Sequence, residues 1–347
     1  MDEVMRIDKI DFLRFLGLSL IILAHVQPPL WLAQLRNFDV PLMFMVMGMS
    51  FCVTEHRHSN RIKYINSRFR RLVLPTWIFF AAFFLINEII SFIFNIKDFT
   101  YNKSIIITSF ALSSGLGYVW VIRLFFIISV IATFIPPKLY TLNLKAILTI
   151  SASFLLINSQ LIPLYNGIDK LSIYILLGTY ISNSISYTLA FIIGYKIAST
   201  DHKELLPPTI ICGLLFSAMT AYYIITLGAF NPTQSDKYPP GIYYMSYATF
   251  MIFVVYLLSN KAVLLLKVLR LWQVVLFISQ NSIWIYLWHI PFIIMCQKIG
   301  SHYLISYVLT YTLATIMVKL QVSIVALINA KNKNKSFQKT FLSIFTG

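Results

Sequence analysis

The chain has 347 residues, of which 58% are hydrophobic and only 12% charged, with a formal net charge of +16 and a mean hydropathy of +0.76. A soluble domain carries about twice that charged fraction, so the composition excludes a soluble protein and points to a polytopic membrane protein. Apolar runs near 20 residues recur, which excludes a barrel built on alternation over about 10 residues. The expected fold class is all-α, a membrane helix bundle of about ten transmembrane helices.

The first apolar stretch, Ile10 to Val26, reads IDFLRFLGLSLIILAHV and carries Arg14 and His25. At about 100° and 1.5 Å per residue, their spacing of 11 positions is about three turns plus roughly 20°, with about 16 Å of rise. Both residues therefore project from one helix face, roughly half a bilayer core apart. Ionisable groups at such depth are expensive and by default mark a functional site. The structural alternatives are that Arg14 snorkels or pairs with Asp11 at i,i+3, and that His25 sits in the opposite headgroup region. The following Val26-Gln27-Pro28-Pro29 lacks the small residues of a cleavage site, so this stretch is expected to stay as the first span.

Further spans are predicted at about 39–54, 73–95, 118–136, 145–162, 175–197, 205–227, 241–259, 275–296 and 303–329. Residues 105–118 suit an interfacial or re-entrant helix, and 171–190 is polar for a span. Residues 260–276 place Lys261, Lys267 and Arg270 among leucines and valines, as an interfacial amphipathic helix would. With the N-terminus cytoplasmic, 19 of the 28 lysines and arginines fall on inside segments, 6 in outside loops, and only Arg14, Arg123 and Lys319 in spans. This positive-inside bias sets the orientation and places both termini in the cytoplasm. It also leaves no basic patch for a nucleic acid. The expected organisation is one membrane domain over residues 1–330 and a basic cytoplasmic tail over 331–347.

Four clusters carry chemistry. Arg68, Arg70 and Arg71 lie in RIKYINSRFRRLVLPTW beside the membrane, where guanidinium forks suit a phosphate-rich ligand. Positive-inside anchoring to anionic lipid explains the same cluster. Trp120 and Arg123 sit three apart in GYVWVIRLFF and share a helix face. Tyr286 and His289 do the same in SIWIYLWHIPF, where they either hold a polar ligand and pass a proton or join an aromatic belt and a satisfied core. Tyr238, in the loop QSDKYPPGIYY, offers a ring for sugar stacking or an interface anchor. Cys52, Cys212 and Cys296 are far apart and lack metal-ligand spacing, which reads as packing. No zinc motif, hydrolase elbow or nucleotide loop is present, and no metal is expected. The inventory allows an enzyme using an anionic cytoplasmic donor, or a transporter or flippase of a glycolipid or anionic metabolite. Transport would favour two related halves with Gly/Pro-interrupted spans, which are not evident. A polysaccharide polymerase would favour a larger outer loop.

These residues, in this order, resemble the bacterial acyltransferase family 3 of multi-pass membrane O-acyltransferases. Asp11-Phe12-Leu13-Arg14 with His25 matches the family's Arg/Lys-x10-His pattern, and Pro41-Leu42-Met43-Phe44 through Gly48 resembles its Pro-Leu-Phe-Phe…Ser-Gly segment. Arg68-Phe69-Arg70-Arg71, followed by Leu74-Pro75, matches its Arg-x-x-Arg motif. Trp120 to Arg123, Tyr238-Pro239-Pro240 and Tyr286-Leu287-Trp288-His289 resemble later segments. The chain departs from the pattern at Met47, where the family has serine, and at Val121-Ile122.

The resemblance implies a protein of the bacterial cytoplasmic (inner) membrane that transfers an acyl group, usually acetyl from acetyl-CoA, to a hydroxyl of a surface polysaccharide or its lipid-linked precursor. It implies His25 as base or transient acyl carrier, with Arg14 near the acyl end. Arg68 and Arg71 would hold the CoA phosphates, and Arg123 would orient the donor or stabilise an oxyanion. The acceptor would meet Tyr286, His289 and Tyr238.

Overall fold

In lipid every backbone N–H and C=O must be satisfied within the chain, and helices do this locally. The computed structural model describes residues 2–54, 60–95, 100–113, 115–166 and 180–346, and all regular structure among them is helical. In chain order the helices are α1 (Asp2–His25), α2 (Leu30–Leu35), α3 (Asp39–Thr54), α4 (Arg61–Phe94), α5 (Lys103–Phe110), α6 (Trp120–Ala132), α7 (Pro137–Thr141) and α8 (Leu144–Asn166). Then follow α9 (Asn183–Ile197), α10 (His202–Leu227), α11 (Ile242–Val268), α12 (Trp272–Gln280), α13 (Ser282–Ile299), α14 (Tyr303–Lys331) and α15 (Lys335–Phe345). Short 3-10 turns occupy Leu116–Tyr118 and Thr233–Asp236.

Among the described residues six segments are long and apolar enough to cross a membrane: Leu30–Thr54, α4, α10, α11, α13 and α14. This is a multi-pass membrane protein. Several boundaries differ from the sequence expectation. The arginines of 61–71 are helical: Asn60 accepts a bond from the Lys63 amide (3.0 Å) and starts α4 there. Lys261 and Lys267 continue α11, and no separate interfacial helix forms until Arg270 (φ 57°) breaks the chain. The span expected at 275–296 is divided at Asn281, within the polar run Ser279-Gln280-Asn281-Ser282. Part of the span expected at 175–197 lies outside the described residues.

Contacts group the chain into two units, one of Met1–Ser59 and Ile131–Ser279, the other of Asn60–Val130 and Gln280–Gly347. In the first unit α3 packs on α9, and two glycines make that crossing close. A Cβ on Gly48 would lie 2.0 Å from the Phe191 carbonyl oxygen, and one on Gly194 would lie 2.0 Å from that of Met45. Between helices in lipid such backbone contact supplies dispersion that larger side chains would prevent. Phe44 and Tyr187, both fully buried, stack beside it at 4.7 Å.

In the second unit α13 and α14 form an antiparallel pair, tied by Trp288 donating to Gln321 (2.9 Å). The expected basic tail contains α15, which docks on α4 and α14. Gln321 donates to the Phe345 carbonyl (2.8 Å) and Trp284 to that of Ile344 (2.9 Å), which satisfies the last carbonyls of α15.

Candidate functional site

The first unit holds Arg14, His25 and Tyr238. α1 is continuous from Arg14 to His25, so the common face inferred from spacing is present. Arg14 donates to Asp11 on its own helix (2.9 Å), to Ser50 of α3 (3.0 Å) and to Ser279 of α12 (3.2 Å). Ser279 in turn donates to Asp11 (2.7 Å). The i,i+3 pair anticipated from sequence is thus one edge of a four-residue network joining three helices. His25 closes the last turn of α1 and is half-buried. Two serines far away in sequence complete the network, and nothing in their local pattern gives them away.

A second buried cluster has no signature in the sequence pattern. Arg36 donates to Asp39 (2.6 Å), and Lys237 donates to Asp39 (3.1 Å) and to Asn37 (3.0 Å). Asn37 donates to Thr233 (2.9 Å), and the Thr233 amide donates to Gln34 (2.9 Å). Arg36 and Lys237 are two of the six cations that the charge pattern places in outside loops, yet Arg36 is 8% and Lys237 2% exposed. Burial pulls the Lys237 ammonium below its ordinary lysine value, and the Asp39 carboxylate opposes this. Tyr238 is next in the chain, half-exposed, with Lys237 Nζ 5.6 Å from its ring centre. The cluster therefore fixes the loop on which Tyr238 stands.

The second unit holds Arg68, Arg71, Arg123, Tyr286 and His289. Arg68 and Arg71 are three apart on α4 and share a face. The Arg68 guanidinium lies 4.9 Å over the Tyr64 ring, one turn earlier. Among the described residues neither arginine makes an ion pair. Pro75, buried within α4, has no N–H for the Arg71 carbonyl, which leaves an acceptor beside the cluster. Arg123 lies in the first turn of α6, half-buried.

Tyr286 donates to the carbonyls of Gly117 (3.1 Å) and Tyr118 (3.2 Å), and so braces the turn that leads into α6 and Arg123. Gly117 needs its φ of +72°, and a Cβ there would meet Ile290 at 2.4 Å. His289 is fully buried, with Nδ1 bonded to the Tyr286 carbonyl and its ring 5.0 Å from that of Tyr286. Among the described residues no three His, Cys, Asp or Glu side chains group as a metal site.

A family model described as an acyltransferase domain matches residues 7–322. No curated protein and no solved structure matches the chain.

Proposed function

The chain belongs to the acyltransferase 3 family, and from that premise we propose that it moves an acyl group from acyl-CoA, acetyl-CoA being the simplest such donor, to a carbohydrate hydroxyl. The acceptor is a surface polysaccharide or its lipid-linked precursor, and the enzyme works in the bacterial cytoplasmic membrane with both termini inside. The observation that carries this reading is the continuous α1, with His25 at its last turn and Arg14 locked on the same face.

In this proposal Arg68 and Arg71 bind the CoA phosphates through charge-assisted bonds, and Arg123 orients the thioester or meets the developing oxyanion. His25 accepts the proton of the sugar hydroxyl as the oxygen attacks the thioester carbonyl. The C–S bond then breaks, and the imidazolium returns the proton to the CoA sulfur. Arg14 is a positioning residue, because three bonds hold its guanidinium on α3, α12 and Asp11. Tyr238 offers a ring to the acceptor. Tyr286 braces the turn before Arg123 and so serves the donor side, with His289 bonded to the Tyr286 carbonyl behind it.

The test is mass spectrometry of surface polysaccharide from cells with and without the chain. A difference of one acyl group per modified sugar supports the proposal. Identical polysaccharide, with the protein present in the membrane, refutes the carbohydrate acceptor.

A further inference from the structure

The family match ends at residue 322, and α15 lies beyond it, yet this helix is fastened to the second unit at both ends. Asn334 caps it by accepting from the amides of Ser336 (3.0 Å) and Phe337 (3.2 Å). Gln338 donates to the carbonyls of Asn329 (3.1 Å) and Asn332 (2.6 Å), and Trp284 and Gln321 hold the last carbonyls. At 11 residues α15 is too short to be a stable helix alone. Docking therefore orders it and fixes where its lysines stand.

Depth along the unit can be read from an apolar groove lined by stripes of α4, α13 and α14. Phe79 of α4 meets Trp288 (5.6 Å between ring centres), and Phe345 of α15 stacks on Trp284 one turn away (5.9 Å). Phe79 and Trp288 both stand near the first lining residue of their stripes, Ile78 and Trp284, so α4 and α13 run the same way. α14 runs against α13, and α15 folds back along α14, meeting Asn329 through Gln338 and Gln321 through Phe345. α15 and α4 therefore share a direction. Counted back from the Phe79 and Phe345 level, Arg68 lies at about 16 Å and Lys335 at about 15 Å. Arg71 and Lys339 lie at about 12 Å and about 9 Å.

Angle agrees with depth. Arg68 is 11 positions before Phe79 and Arg71 is 11 before Ala82, so each falls about 20° from a lining residue. The two arginines thus continue the α4 stripe on which α15 packs. Lys335 and Lys339 stand about 80° and about 120° round α15 from Phe345, and both are exposed. Among the described residues neither lysine makes an ion pair. Residues 300–347 contain no Asp or Glu, and Glu88, the one acidic residue of α4, is 17 positions beyond Arg71.

Four cations on two packed helices, at one depth and without an acid, attract a polyanion. Packed helices lie about 8–10 Å apart, a gap that a nucleotide with a pyrophosphate and a separate monophosphate can bridge. We propose that α15 is a second wall of the donor site, with Lys335 and Lys339 binding phosphate of the acyl-CoA nucleotide beside Arg68 and Arg71. The proposal rests on the acyl-CoA reading above and adds to it a helix outside the matched domain.

The test measures CoA binding to the full chain in phosphatidylcholine nanodiscs, and acyl transfer in membranes from acetyl-CoA and from acetyl-pantetheine, which keeps the thioester but has no phosphate. Lys335→Gln with Lys339→Gln is expected to weaken CoA about fivefold and to raise KM for acetyl-CoA. Lys335→Arg with Lys339→Arg should bind CoA as the wild type does, and transfer from acetyl-pantetheine should be equal in all three proteins. Unchanged CoA affinity in the glutamine variant overturns the proposal. An equal loss with acetyl-pantetheine also overturns it, because the lysines would then serve only the fold. Arg68→Ala with Arg71→Ala separates the two readings. If that variant loses CoA while the glutamine variant binds normally, the α15 wall falls and the acyl-CoA reading stands. If the wild type binds no CoA, both fall.

Discussion

The two units treat their cations in opposite ways. In the first, Arg14, Arg36 and Lys237 are held by Asp11, Asp39 and neutral side chains within 3.2 Å. In the second, Arg68, Arg70 and Arg71 sit at the start of α4 without an ion pair among the described residues. Buried cations must be paired to be tolerated, so the first unit's charges fix helices and loops. In the proposed function the arginines at the entrance of α4 direct their planar forks to the donor's phosphates. The same residue type thus meets a carboxylate in one unit and makes no ion pair among the described residues of the other.

The sharpest way to break this contrast is to break the packing of the first unit. Gly48→Val or Gly194→Val forces a side chain into backbone at 2.0 Å and is expected to destabilise by more than about 3 kcal/mol. Size-exclusion profiles in detergent would show aggregated protein. Next comes Asp39→Ala, which leaves Arg36 and Lys237 buried without their carboxylate. A loss of about 3 kcal/mol in thermal unfolding is expected, and wild-type stability would show that the cluster does not hold the loop.

Arg68→Ala with Arg71→Ala tests the other side of the comparison. Affinity for acetyl-CoA is expected to fall about tenfold or more, with stability changed by less than about 0.5 kcal/mol. An unchanged dissociation constant returns the pair to membrane anchoring. The smallest effect concerns pH. Burial lowers the Lys237 value in the folded protein, so the unfolded chain binds more protons between the folded value and the ordinary one of about 10.4. Across that window the stability of wild type relative to Lys237→Met should rise with pH. A flat difference would contradict the burial of the charge.

Much of the fold was legible because hydropathy marks helices directly: α3, α10 and α14 lie close to where the apolar runs place them. Hydropathy says little about where one helix ends and the next begins inside an apolar run. The break at Asn281 and the continuation of α11 through Lys261 and Lys267 both escaped it. The Arg14–His25 face was legible from spacing alone, since one helix carries both. The Lys237–Asp39 pair was not, because its partners are 198 positions apart and a loop lysine reads as a topological marker. The groove was invisible for a different reason. Its stripes lie on helices that are apolar all round, so no periodicity distinguishes a lining face from a lipid-facing one.

The central claim is that His25 performs the proton transfer while Arg14 holds the helix that presents it. Acetyl transfer from labelled acetyl-CoA should be measured in membranes carrying His25→Ala at wild-type expression, beside Arg14→Lys. The account predicts transfer at background for His25→Ala with acetyl-CoA binding unchanged, and reduced but measurable transfer for Arg14→Lys. Wild-type transfer by His25→Ala would contradict it.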